Sequence, residues 1–278
     1  MLEYLLNENS NEILMETTTQ TKSAGPSVLT DRQMKQYLED GYVIIRGVLD
    51  DAEVAKVKRL QAKIEARIDA HGATNFAVGE SNYQFEKIDS PDGVDRAALR
   101  AVKNPHFEEP DFTEVAASDK ILDFVEDLIG HEVYIHSSKV FFKAAHGGRR
   151  KPWHQDWAYW SHMNQQQVTV WMAIDPSTRE NGCIEVLPGS HKKGHVEHYR
   201  GEDYMIHEEL VDKDAVVYAE MAPGDVLFFN VLTLHASAPN NSEKGRLCCI
   251  IDFDSQAKPE GSRHGGETAV RSAEFVNR

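Results

Sequence analysis

The sequence predicts an α+β protein with helices first and an antiparallel β-core second. Three observations carry that reading. Amphipathic helical patterns are confined to the part before residue 130. After residue 132, short apolar and β-branched runs are punctuated by Gly, Pro, Asn and Asp. No helical pattern interleaves with those runs. Strands that follow one another without crossover helices pair antiparallel, and they close into a sandwich or a jelly roll. The 278 residues suit one large domain or two small ones, and no internal repeat suggests duplication.

Taken in order, residues 1–29 are polar and rich in Thr, Ser and Asn, and read as a flexible extension. Thr30 or Asp31 can cap a short helix that runs through Leu38 and stops at Gly41. Tyr42-Val43-Ile44-Ile45 is a β-branched strand. Asp50 opens the clearest helix, in which Val54, Val57, Leu60, Ile64 and Ile68 recur at helical spacing until Gly72. The stretch 73–118 is polar, carries Pro91, Pro105 and Pro110, and reads as loops over the core. Asp119 starts a second amphipathic helix that Gly130 ends. Strands are expected at 132–144, 167–174, 183–187, 215–220, 225–230 and 246–253, with 256–278 as a tail.

Composition excludes several classes. With 30 basic and 45 acidic residues the formal charge is −15, which opposes a nucleic-acid scaffold and gives no support to docking on an anionic membrane. No run approaches the length of a membrane span. Cys183, Cys248 and Cys249 form neither a disulfide framework nor a zinc spacing, so a reducing, cytoplasmic setting is expected.

The chemistry lies in two blocks. In Trp153-His154-Gln155-Asp156-Trp157, extended backbone would turn His154 and Asp156 to one side, joining a neutral imidazole to a carboxylate. That mixed nitrogen and oxygen set suits divalent iron. Among 13 histidines and 45 acidic residues, such a pair is a common coincidence. The downstream block, Pro223-Gly224-Asp225 launching an apolar strand and then Thr233-Leu234-His235, supplies a third ligand. Three protein ligands leave three open positions on an octahedral iron. Gly245-Arg246 opens the next strand, and the Arg246 fork suits a carboxylate.

These blocks resemble the phytanoyl-CoA dioxygenase family of iron(II)/2-oxoglutarate oxygenases. The resemblance runs from Gly41-Tyr42-Val43-Ile44-Ile45-Arg46-Gly47 through Lys87-Ile88, His154-Gln155-Asp156, Trp171 and Asn181-Gly182-Cys183. It continues through Val186-Leu187-Pro188-Gly189-Ser190-His191 and Pro223-Gly224-Asp225 to His235-Ala236-Ser237 and Gly245-Arg246, spanning residues 30–255. It implies a double-stranded β-helix core buttressed by the N-terminal helices. It implies iron(II) held by His154, Asp156 and His235, with 2-oxoglutarate and O2 as cosubstrates. Arg246 would hold the distal carboxylate of 2-oxoglutarate, with Ser237 as a hydrogen-bond donor. Lys87 and Trp171 would line the cosubstrate pocket, and Gln155 would approach substrate. Related halogenases carry Gly or Ala where Asp156 stands, so hydroxylation is expected.

Plainer readings exist for some of these residues. Lys87 could be a surface lysine, Trp171 core, and Ser237 a turn hydroxyl. The aromatics Trp153, Trp157, Tyr159 and Trp160 could contact substrate or only pack. Arg149-Arg150-Lys151 reads as a solvated loop, or else as a neutraliser of an anionic substrate. The loops 73–118 and 195–214 are candidate lids. The expected substrate is a small organic molecule, acted on by a monomer or homodimer. Alternatives are desaturation, epoxidation or rearrangement at the same iron, a non-catalytic binding module, and a zinc or manganese isomerase. The last needs no arginine for a carboxylate.

Overall fold

A computed structural model of the chain describes residues 27–88, 96–130, 132–159, 165–201, 203–255 and 268–271. Its helices are α1 (Asp31–Asp40), α2 (Asp51–Lys58), α3 (Leu60–His71), α4 (Pro110–Ala116) and α5 (Asp119–Ile129). The strands are β1 (Tyr42–Ile45), β2 (Phe76–Val78), β3 (Ser81–Ile88), β4 (Arg96–Lys103), β5 (Val133–Lys143), β6 (Lys151–His154) and β7 (Gln167–Ala173). They continue with β8 (Ile184–Val186), β9 (Tyr199–Arg200), β10 (Tyr204–Met205), β11 (Val217–Ala219), β12 (Val226–Asn230), β13 (His235–Ser237), β14 (Arg246–Asp254) and β15 (Thr268–Arg271).

Nine strands form a large antiparallel sheet in the order β1-β12-β7-β14-β5-β4-β3-β2, with β15 also on β5. A smaller sheet, β11-β8-β13-β6, lies against its inner face. The period of two sorts the side chains between layers. From β7, Val168, Val170 and Met172 join the helix-side core, while Trp171 and Ala173 face the smaller sheet. From β14, Leu247, Cys249, Ile251 and Phe253 go to the helices, and Cys248 and Ile250 go inward. The adjacent cysteines therefore belong to different layers, and all three cysteines are buried and free.

Helices form where caps and apolar stripes coincide. Thr30 and Gln33 make a reciprocal capping box at α1, and Asp50 and Glu53 make another at α2. In α5, Ile121, Leu122, Val125, Leu128 and Ile129 are buried against the large sheet, each contributing about 1.5–3 kcal/mol of burial. Gly41 ends α1 at φ 81°, where a Cβ would stand 2.4 Å from His191 Nδ1 and 2.6 Å from Thr233 Oγ1. Its carbonyl accepts from Asn230 N and from Thr233 Oγ1. The end of α1 is thereby tied to the turn that delivers β13.

Four expectations need correction. The stretch 73–118 holds β2, β3, β4 and α4 rather than loops alone. Its strands were hard to read because their polar residues Asn82, Gln84, Arg100 and Lys103 line an interior cavity. The helix from Asp50 is divided at Arg59 into α2 and α3. Residues 27–29 are anchored, since Ser27 bonds Asp127 and Leu29 is buried; 1–26 lie outside the described residues. The tail contains β15, paired with β5.

Candidate active site

Between the two sheets lies a cavity of about 570 Å³, and His154, Asp156, Trp171, His235, Ser237 and Arg246 all line it. The smaller sheet builds one end. His154 closes β6 and His235 opens β13, and they are direct partners in register. Asp156 follows in a short 3-10 turn, so the chain bends after His154 instead of continuing extended.

His154 Nδ1 donates to Pro152 O at 2.8 Å, and His235 Nδ1 donates to Thr233 O at 3.0 Å. A carbonyl only accepts, so both Nδ1 atoms carry a proton, and in the neutral tautomer this fixes the lone pair is on Nε2. Those Nε2 atoms lie 3.4 Å and 3.7 Å from Asp156 Oδ1. In the neutral rings three ligand atoms therefore converge, an arrangement that a cation completes. Burial, reinforced by His235 and Lys151, lowers the His154 pKa to about 3 and keeps the ring neutral. Burial opposes ionisation of Asp156, but the imidazoles and Lys139 outweigh it and hold its carboxyl below the ordinary range. Two imidazoles and one carboxylate with open positions fit a non-haem iron(II).

Sequence reasoning missed Thr169, whose hydroxyl stands 2.9 Å from Asp156 Oδ2 and 3.0 Å from Asp252 Oδ1. It occupies the outer carboxylate oxygen and leaves Oδ1 for the metal. The signal was one polar residue alternating within an apolar strand.

The large sheet builds the other end. Arg246 is 2% exposed; its Nη1 donates to Gly182 O at 2.7 Å, and its guanidinium lies 5.1 Å from the Trp171 ring centre. Gly182 sits at φ 74°, where a Cβ would meet Ala238 O at 2.2 Å. Arg246 Nε and Trp171 Nε1 are buried donors without a hydrogen-bond partner. An unmet donor on a buried cation beside an unmet indole N–H is costly, and a carboxylate entering the cavity would satisfy them. Lys143 Nζ donates to Ser237 Oγ at 2.6 Å and also to Ala238 O. Ser237 thus accepts from the lysine and keeps its own proton for the cavity. Burial and the Arg246 charge lower Lys143 to about 7.

Three expected residues are placed elsewhere. Lys87 is exposed on β3 and does not line the cavity. Gln155 is fully buried with its amide committed to backbone, donating to Gly194 O and Leu232 O and accepting from Val196 N. The bend at Asp156 turns it away from the cavity. Trp157 packs edge-on against His195, again outside the lining. Conversely, Lys151 is no solvated loop residue: it lines the cavity and pairs with Asp203, while Arg150 stays at the surface on Glu208. Tyr159 also lines the cavity and donates to Asp203. Asp203 and Tyr204 bring the 195–214 segment to the cavity wall. Trp160 lies outside the described residues.

Comparison with known proteins gives this geometry a family. The sequence model of phytanoyl-CoA dioxygenase (PhyH) matches residues 37–248. A probable alpha-ketoglutarate-dependent hypophosphite dioxygenase of Stutzerimonas stutzeri is 32% identical over 229 residues, covering 80% of this chain and 77% of that one. The L-proline trans-4-hydroxylase of Streptomyces griseoviridis is 28% identical, covering 79% of this chain and 84% of its own. The fold matches EctD of S. alaskensis, solved with 2-oxoglutarate and 5-hydroxyectoine, at TM-score 0.68 and 20% identity over 90% of this chain and 89% of that one. The layered sheets are thus the cupin-like double-stranded β-helix. The chain belongs to the phytanoyl-CoA dioxygenase family of iron(II)/2-oxoglutarate-dependent oxygenases.

Proposed function

We propose that this enzyme hydroxylates a C–H bond of a small polar molecule, using His154, Asp156 and His235 as iron ligands and Arg246 as the anchor for 2-oxoglutarate. The convergence of two Nε2 lone pairs and Asp156 Oδ1, each imidazole locked by its own backbone, is the observation that carries the reading. When bound, iron and 2-oxoglutarate supply oxygen activation, with O2 and the keto acid consumed to give succinate, carbon dioxide and an oxygenated product.

The protein's own residues supply geometry. Pro152 O and Thr233 O fix the imidazole tautomers, and Thr169 holds the carboxylate. Arg246, Trp171 Nε1 and Ser237 offer donors to the distal carboxylate of the cosubstrate. Asp156 fills the coordination position that halogenation would need open, which supports hydroxylation. The size and polarity of the cavity favour a small substrate, in keeping with relatives named for hypophosphite and L-proline.

We place the catalytic unit at residues 30–255 and the enzyme in the cytoplasm, acting as a monomer or homodimer without nucleic acid. Three free buried cysteines and a charge of −15 support this, and no described helix is long and apolar enough to cross a membrane. Anaerobic titration of the iron-loaded protein with 2-oxoglutarate tests the function. A weak visible charge-transfer band is expected, and its absence would overturn the assignment.

A further inference from the structure

We propose that the substrate is a small oxoanion, its charged head held by Lys103 on β4 beside Lys139 on β5. The inference rests on the oxygenase reading above and extends it to the substrate's charge. Five cationic side chains line the cavity, Arg100, Lys103, Lys139, Lys151 and Arg246, against two carboxylates, Asp156 and Asp203. The chain as a whole carries −15, so this interior is opposite in sign to its surroundings.

Most of these charges have a partner. Arg100 donates to Glu86 Oε2 at 2.8 Å, and Lys139 to Asp252 Oδ2 at 3.2 Å. Lys151 pairs with Asp203. Arg246 is assigned to the cosubstrate, and Asp156 to the metal. Lys103 alone has no hydrogen bond or ion pair among the described residues, though it lines the cavity and is only partly exposed.

Its position makes that costly. Lys103 lies directly across the strand pair from Lys139, and like charges directly opposite destabilise a sheet. Burial and the Lys139 charge both disfavour its protonated form, with Asp203 opposing. An unpaired, half-buried lysine facing another lysine adds nothing to the fold. An oxoanion beside Lys103 would give it the partner it lacks and offset the Lys139 charge across the strand pair.

The location also suits a substrate. Register separates this pair from the cosubstrate anchor, since Lys139 is opposite Ile250 and Lys143 is opposite Arg246. Four residues along one strand correspond to about 13 Å of backbone, so the Lys103–Lys139 pair and Arg246 stem from different levels of the sheet. Lys139 reaches the metal ligand through Asp252 and Thr169, which contacts Asp156. The oxoanion head would thus lie on the metal's side of the cavity, with its C–H bonds towards Asp156. The cavity of about 570 Å³ must hold 2-oxoglutarate as well as the substrate, and a phosphonate or a carboxylate would supply the oxoanion head.

The test uses the iron(II)/2-oxoglutarate-loaded protein under nitrogen. It is titrated with methylphosphonate, acetate and the neutral ester dimethyl methylphosphonate, following heat and the perturbation of the charge-transfer band. The anions should bind at least about 10-fold more tightly than the ester, and more weakly as ionic strength rises. The stronger of the two anions identifies the head group. Lys103→Met should raise the oxoanion Kd about 10-fold or more, and Lys103→Arg should restore most of the loss. A retained 2-oxoglutarate band in each variant confirms an intact fold, and Lys103→Gln replaces Lys103→Met if the latter does not fold. Equal binding of ester and anions, no anion binding, or a Lys103→Met loss that falls on 2-oxoglutarate instead would overturn the proposal while leaving the oxygenase reading standing. Failure of the band to form in the parent protein would sink the oxygenase reading and this one with it.

Discussion

The two ends of the cavity are built in opposite ways. At the metal end, each imidazole is already hydrogen-bonded to its own backbone and the carboxylate is held by Thr169, so only the converging lone pairs remain unmet. At the Arg246 end, the unmet atoms are donors: Arg246 Nε and Trp171 Nε1 are buried without partners. One end presents ligand atoms suited to a cation and the other donors suited to an anion. The imidazoles are fixed by their own backbone, whereas Asp156 is held by a side chain of the large sheet and Arg246 by the Gly182 carbonyl.

Breaking the metal end should have the largest effect. His154→Ala is expected to lower iron affinity by more than about 100-fold and to abolish succinate formation, measured by iron content and product assay. Retained turnover would contradict the ligand assignment. Breaking the other end should separate the two. Arg246→Ala removes a charge-assisted anchor worth about 2–5 kcal/mol, raising the 2-oxoglutarate Kd about 30-fold or more while iron stays bound. Equal loss of iron would show that the two ends are not independent.

Protonation probes the metal end without mutation. The His154 pKa is depressed in the folded state from 6.5 to about 3, so its contribution to stability is complete above pH 6.5 and is lost as pH falls from there towards 3. In the metal-free protein, about 2 kcal/mol should disappear between pH 6.5 and 5, read by chemical denaturation. Bound iron should flatten that loss, since it holds the ring neutral. A smaller effect is expected from Thr169→Val, which keeps the shape but frees Asp156 Oδ2 and should cost about 10-fold in iron affinity. Lys87→Ala should be the smallest, changing 2-oxoglutarate affinity by less than about 2-fold, since surface changes away from such features are worth within about 0.5 kcal/mol.

Much of this was legible beforehand because periodicity and chemistry agreed. The stripe of α5 and the alternation in β7 and β14 read directly, while His154, Asp156 and His235 were legible through the resemblance that joins their blocks. The failures share a cause. Strands β3 and β4 carry their polar faces inward to the cavity, so their pattern looked like loop. Gln155 stands between two ligands, and only the turn at Asp156 reveals that it faces the backbone of residues 194–196 and 232. Lysines carry no mark of direction. Lys87 points outward and Lys103 lines the cavity, a difference set by register rather than composition.

The buried cysteines bear on how long such an enzyme lasts. Burial raises the thiols of Cys183 and Cys248 to about 11, and that of Cys249 well above its usual value. Cys248 lies in the layer between the sheets, near the chemistry, yet at neutral pH it stays a protonated thiol rather than the reactive thiolate. A catalyst that handles oxygen and sometimes misfires without substrate exposes its own sulfur to oxidation. Here burial keeps the three cysteines as thiols rather than thiolates, which slows their oxidation by peroxides released in idle turnover.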